Sequence, residues 1–188
     1  MRAILISGMP SVGKSTLANR ISTALSIPSI AGGDVLKEIA SRRGIQTDGA
    51  DWWDTDRGMK FLSERFIDHS IDRQVDDLLL ERAKKGNVVI TSYTLPWLAK
   101  GCYKIWLKSS QKVRSERMSK RDNIVTSVAL GIVRNREEEN RRLYKELYGL
   151  DFGTDLSVFD LVVDTDKLSE AEVFDVISKS LKVLKKDG

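Results

Sequence analysis

Eight consecutive residues, Gly8-Met9-Pro10-Ser11-Val12-Gly13-Lys14-Ser15, satisfy G-x-x-x-x-G-K-[ST] at each fixed position. Glycines in such a loop let the backbone wrap closely around phosphates, with amide N–H groups turned inward. The loop opens a helix, whose N-terminus favours anions. Lys14 reaches the β- and γ-phosphates of a nucleoside triphosphate, and the Ser15 hydroxyl ligates Mg2+. The expected ATP-contacting set is Gly8, Met9, Pro10, Ser11, Val12, Gly13, Lys14, Ser15 and Thr16, with the metal on Ser15. A chance match in a glycine-bearing turn is the bland alternative. A strand before the loop and an amphipathic helix after it argue against chance. The chain carries no N-K-x-D segment, which a guanine-reading GTPase would show. The run Val88-Val89-Ile90 ends in Thr91-Ser92, without the acid that many ATPases use to hold Mg2+.

Arginine placement is the second chemical signal. Seven arginines lie between 114 and 142, and none follows. Arg114, Arg117 and Arg121 are spaced three and four apart, so a helix puts them on one face. Arg136 and Arg141 flank Glu137-Glu138-Glu139. Phosphoryl transfer needs charge stabilisation on the moving group more than it needs a base. Arginines on a closing flap supply that charge and exclude water. Surface Arg–Glu pairs of little energetic weight are the competing reading. Beside the phosphate loop, Arg117, Arg121, Arg136 and Arg141 are expected in catalysis with Lys14, and Arg114 and Arg142 as structural or surface residues.

These residues need elements to hold them. Ala3 to Ile6 reads as a strand buried on both faces. Leu17, Ile21 and Leu25 then recur every four residues, the stripe of an amphipathic helix. Ile27 to Ala31 is a second strand, Gly32-Gly33 a turn, and Asp34 to Arg43 a helix stopped at Gly44. Phe66 to Lys85 is helical, followed by strands at Asn87 to Ile90 and Lys104 to Leu107. Helices are expected over Gln111–Arg121 and from about Thr126 to Tyr148, with a fifth strand at Phe159 to Val163. Ser169 and Glu172 have capping-box spacing for the last helix, with Leu168 and Val173 as its hydrophobic staple. Five short apolar runs alternating with helices predict an α/β fold, a parallel sheet with helices on both faces.

Composition bounds the rest. The chain has 188 residues, a single domain by length, and a formal net charge of +4. That charge is too mild to indicate a nucleic-acid partner without clustering. The single cysteine, Cys102, permits neither an intramolecular disulfide nor a cysteine-based zinc site. No apolar run approaches a membrane span, and the N-terminal apolar stretch is too short for a signal peptide. The expected setting is the cytoplasm, with no membrane partner.

The chain resembles the nucleoside monophosphate kinases of the phosphate-loop type, most closely the archaeal-type cytidylate kinases. The resemblance runs through the phosphate loop, Ala31-Gly32-Gly33-Asp34-Val35-Leu36, Ile71-Asp72-Arg73, Lys104-Ile105-Trp106-Leu107-Lys108 and the arginine segment. It is most specific in Tyr144 to Asp151 and Leu156 to Val162. It implies a three-layer fold with a five-stranded parallel sheet. The implied core covers about 1–33, 86–120 and 150–188, with a monophosphate-binding excursion over about 34–85 and a lid over about 121–149. It implies a monomer that transfers the ATP γ-phosphoryl to CMP or dCMP with Mg2+, giving ADP and CDP or dCDP. Lys14 and the lid arginines would neutralise the moving phosphoryl, and Asp34, Lys37 and Arg73 would bind the acceptor. Two positions depart from the family: Lys37 stands where it usually has arginine, and Thr91-Ser92-Tyr93 replaces a Gly-Arg pair. Lysine supplies charge without a bidentate fork, and tyrosine only a hydroxyl.

The remaining singular residues have plainer readings. Trp52-Trp53 are read as pins for an irregular excursion rather than as a base-stacking pair. His69 is read as structural or surface, because the chemistry needs no general base. Cys102 is an unreactive thiol, and Lys182, Lys185 and Lys186 suit a helix C-terminus. Two other functions stay open on the residues alone: a kinase for another nucleotide or small phosphorylated acceptor, and an ATP-binding relative without catalysis.

Overall fold

The computed structural model describes residues 1–47, 60–61, 64 and 68–184. The expectations for Trp52-Trp53, Phe66, Ile67 and the side chains of Lys182, Lys185 and Lys186 lie outside what is described. Among the described residues five strands form: β1 (Ile4–Gly8), β2 (Ser29–Ala31), β3 (Val89–Thr91), β4 (Tyr103–Lys108) and β5 (Leu161–Asp164). They make one parallel sheet in the order β2-β3-β1-β4-β5. A helix-bearing crossover between successive strands is what permits parallel pairing. Ile4 lies opposite Val89 on one side and Tyr103 on the other, so β1 is central and its C-terminal end opens onto the phosphate loop.

Strand alternation assigns the two faces. Ala3, Leu5 and Ile90 point to the side covered by α2 (Gly32–Arg42) and α3 (Ser70–Lys85), against Val35, Ile39, Ile71 and Leu79. Ile4, Ile6, Ile105 and Val163 point to the other side, against Leu17 and Ile21 of α1 (Lys14–Leu25) and Val173 and Ile177 of α7 (Glu170–Leu184). Both faces are dry, which is why the strands read as continuous apolar runs. The α7 start is the expected capping box: Ser169 N–H and Oγ donate to Glu172 Oε2 at 2.8 and 2.7 Å, and Glu172 N–H returns to Ser169 Oγ.

Two elements differ from expectation. Gly32-Gly33 opens α2 instead of forming a turn, because the Asp34 carboxylate accepts the Ala31 N–H at 2.9 Å and closes the helix start from inside. A single helical turn, α4 (Leu95–Leu98), follows β3 and has no counterpart in the sequence expectations.

The arginines ride on a helical hairpin, α5 (Gln111–Asp122) and α6 (Thr126–Tyr148), joined through Met118, Ala129 and Val133. The C-terminal half of α6 is fastened to the body by Leu143, Tyr144 and Leu147, which pack with Met9, Trp106 and Phe152. Trp97, Trp106, Phe152 and Phe159 meet at centroid distances of 5.0–6.0 Å, most of them edge to face. No helix among the described residues is long and apolar enough to cross a membrane.

Candidate active site

The loop between β1 and α1 takes its shape from two glycines. Gly8 has φ +150°, and a Cβ there would sit 2.5 Å from the Leu107 carbonyl oxygen of β4. Gly13 has φ +103° and precedes a helix whose first N–H groups receive no side-chain cap. Ser11 is left-handed at φ +62°. Its Oγ is the one buried side-chain polar atom among the described residues without a hydrogen-bond partner. An orphaned buried hydroxyl in this loop fits a site that an anion completes.

Lys14 is folded into this loop. Its Nζ donates to the carbonyls of Gly8 at 2.9 Å and Met9 at 3.0 Å. Nζ also stands 4.5 Å from the Tyr93 ring centroid. Burial pushes the Lys14 ammonium below the usual lysine range; Tyr93 opposes the shift, and the charges of Arg136 and Arg114 add to it. Arg136, on α6, is thereby a neighbour of the phosphate loop. Ser15 is exposed on the first turn of α1, and no cluster of three His, Cys, Asp or Glu side chains is present among the described residues. That donor set, one hydroxyl oxygen beside a phosphate cradle, suits Mg2+ whose other ligands are phosphate oxygens and water.

The other arginines divide by what they touch. Arg114 is buried and structural: it donates to the Pro10 carbonyl of the loop at 3.2 Å, to the Ser109 carbonyl, and to Glu137 of α6 at 2.5 Å. Arg117 donates to the Val12 carbonyl at 3.2 Å and to Oγ1 and the carbonyl of Thr165 at 3.0 and 2.6 Å. It lines a cleft of about 260 Å3 with Val12, Leu17, Leu107, Leu168 and Val173. Arg121 is exposed and forms a bidentate pair with Asp122 at 2.6 and 2.7 Å. Arg141 is half-exposed on Glu137 at 2.9 Å. Lys14, Arg136 and Arg114 are therefore brought together at the loop, Arg117 lies at the cleft behind it, and Arg121 and Arg141 stay with acidic neighbours on the hairpin.

The acceptor candidates sit on the opposite face of the sheet. Asp34 caps the start of α2, Lys37 is half-buried one turn on, and Arg73 is exposed on α3. Next to them lies Asp76, which accepts from Thr94 Oγ1 at 2.6 Å and from the Tyr148 hydroxyl at 2.7 Å. Burial raises its carboxyl to about 6 despite those two donors, with Asp72 and Asp77 adding to the rise.

With this arrangement in view, residues 3–167 match the model of the cytidylate kinase-like family. The chain belongs to the cytidylate kinase-like family. A cytidylate kinase of Pyrobaculum islandicum is 39% identical over 171 residues, covering 90% of this chain and 86% of the relative. One of Methanocaldococcus jannaschii is 34% identical, covering 97% and 99%. Among solved structures, a shikimate kinase of Bacteroides thetaiotaomicron superposes with a TM-score of 0.63 at 14% identity, over 98% of each chain. That last likeness speaks to the fold alone.

Within this cytidylate kinase-like chain, sequence reasoning missed three participants. Tyr93 beside Lys14 was noted only as a departure. Glu137 stands in the sequence only as one of three glutamates between Arg136 and Arg141, yet it is buried and bridges Arg114 and Arg141. Asp76 carried no signal beyond lying four residues after Asp72.

Proposed function

We propose that the chain transfers the ATP γ-phosphoryl to CMP or dCMP, giving ADP and CDP or dCDP. The observation that carries the transfer chemistry is the phosphate loop with its orphaned Ser11 hydroxyl and Lys14 folded into it. The cytidine acceptor rests on relatives named cytidylate kinase that match most of the chain.

In this reading residues 8–16 wrap the triphosphate, and the cleft beside Arg117 takes the donor base between the guanidinium and Leu168. An acceptor phosphate oxygen attacks the γ-phosphorus in line; that P–O bond forms as the bond to the β–γ bridging oxygen breaks. Arg117, expected in catalysis from the sequence, serves the donor base in this reading, while Lys14, Arg136, Arg121 and Arg141 neutralise the three equatorial oxygens, the latter two after exchanging Asp122 and Glu137 for phosphate. Ser15 would hold Mg2+, which would supply charge neutralisation at the leaving group. Asp34, Lys37 and Arg73 hold the acceptor. The excursion over about 34–85 and the lid over about 121–149 close on a core of about 1–33, 86–120 and 150–188. The protein works as a cytoplasmic monomer.

ADP release measured across CMP, dCMP, UMP, AMP, GMP and dTMP tests the proposal, with the Lys14→Ala variant as control. CMP and dCMP are expected to lead. No acceptor-dependent ADP above the control overturns it. A different leading acceptor supports the second reading, which Lys37 and Tyr93 favour by offering no bidentate fork.

A further inference from the structure

We infer that Thr165 is a positioning residue for the donor nucleotide, acting on the base through Arg117. The inference rests on the reading that the donor base lies in the cleft beside Arg117, and it names a residue outside both the phosphate loop and the arginine segment. Thr165 is buried and is the first residue after β5. Arg117 Nη1 donates to its Oγ1 at 3.0 Å and Nη2 to its carbonyl at 2.6 Å, so one residue grips both terminal nitrogens. Nη1 also donates to the Val12 carbonyl of the phosphate loop at 3.2 Å. Guanidinium N–H bonds lie in the plane of the group, so these three contacts engage its edge. Stacking on a base uses a face instead. A guanidinium fixed along its edge is a platform whose tilt is set before a base arrives.

Thr165 is itself fixed from the sheet. Its N–H and Oγ1 both donate to the Lys108 carbonyl at the end of β4, at 2.9 and 3.1 Å. The hydroxyl gives its hydrogen to Lys108 and accepts from Arg117, so it acts on the base through Arg117. The next residue, Asp166, accepts from Ser109 Oγ at 2.7 Å and from the Ser110 N–H at 2.8 Å. Two adjacent residues thus tie the β5–α7 connection to the start of α5, the helix that carries Arg117. The same connection and the first residue of α7 bring Leu168, Ser169 and Glu170 to the cleft. Thr165 therefore sets the guanidinium against the segment that completes the cleft. A binding group held in place beforehand loses less freedom when the ligand arrives, which is where positioning gains affinity.

The test compares Mg2+-ATP with inorganic tripolyphosphate, which offers the phosphate loop three phosphates and has no base. Binding of each is measured by calorimetry for wild type and for Thr165→Val, Thr165→Ala, Thr165→Ser and Arg117→Ala, with thermal midpoints and CMP-dependent ADP release alongside. Thr165→Val keeps the volume, and is expected to weaken ATP about fivefold while leaving tripolyphosphate unchanged. Thr165→Ala is expected to change the ratio equally, so the outcome does not depend on one variant folding. Thr165→Ser keeps the hydroxyl and is expected to restore the wild-type ratio. Added to Arg117→Ala, Thr165→Val is expected to change ATP binding no further. Equal losses for the two ligands, or a Thr165 effect that persists without Arg117, overturns the inference. A ratio that falls in Arg117→Ala but not in Thr165→Val overturns it and leaves the base beside Arg117. A ratio that ignores Arg117→Ala removes the base from this cleft, and the inference with it. A wild type that releases no ADP with any acceptor overturns the kinase reading instead, and the binding ratios still decide on Thr165.

Discussion

Asp76 is an ionisable side chain that folding has taken almost entirely out of water, at 5% exposure. Two hydroxyls, Thr94 and Tyr148, donate to it, yet burial still raises its carboxyl to about 6, with Asp72 and Asp77 adding to the rise. Burial and Asp76 in turn hold the Tyr148 phenol above its usual range. An aspartate in an unfolded chain titrates near 3.9. Between about 4 and 6 the folded protein keeps a proton that the unfolded chain has released. Stability therefore falls as pH rises through that window, and the full cost is present above about 6. A shift of two units corresponds to roughly 3 kcal/mol. Asp76→Asn removes this titration while keeping a polar group between the two hydroxyls. Its denaturant-unfolding free energy is expected to gain on wild type progressively from pH 4 to 7. Parallel pH curves for the two proteins would contradict the assignment. Nothing in the sequence marks Asp76, because its partners are 18 and 72 residues away.

Elements carry these residues, and legibility varies among them for physical reasons. Strands buried on both faces read directly from apolar runs, and α7 from its capping box, because both are local patterns. The α2 start was misread because paired glycines usually break helices, whereas here Asp34 reaches back to the Ala31 N–H. The one-turn α4 is too short for any periodicity. In the candidate site, the phosphate loop is a contiguous motif and was fully visible. The partners of its neighbours were not, since an arginine on a helix face looks the same whether it meets solvent or a loop carbonyl. Arg114 is the instance that matters most. It ties α5 to α6 through Glu137 and to the phosphate loop through the Pro10 carbonyl, so three elements share one buried guanidinium. Removing one partner of a buried pair costs about 3–5 kcal/mol. Glu137 retains Arg141 and Gln111, which places Arg114→Ala near the lower end. For a chain of this length that lowers the thermal midpoint by roughly 6–12 °C. Arg142→Ala, on the exposed side of α6, is the comparison and is expected to change it far less. Equal shifts would mean that Arg114 is not the clamp.

At the scale of the whole molecule, the sheet and the charge point to the same end. The phosphate loop leaves the C-terminal end of β1, the general place for ligands in open parallel sheets. Between Lys112 and Arg142 there are nine basic and five acidic residues, an excess equal to the entire formal net charge of +4. The hairpin holding that excess meets the phosphate loop at Arg114 and Arg117, and the charge of Arg136 acts on Lys14. In the proposed reading a triphosphate bound there would touch the loop and the hairpin together, and its binding would couple to the stability of both. A ligand at one hundred times its dissociation constant adds about 2.7 kcal/mol to stability. For this length that raises the thermal midpoint by roughly 5–10 °C. Because the attraction includes exposed charges, salt weakens it. At one fixed concentration of Mg2+-ATP, the midpoint rise measured by scanning fluorimetry is expected to shrink between 50 mM and 500 mM salt, by about the screening those ionic strengths impose. Lys14→Ala is expected to abolish most of the rise at either salt. A rise that ignores salt would assign ATP binding to the loop alone, and one that survives Lys14→Ala would move the triphosphate elsewhere on the molecule.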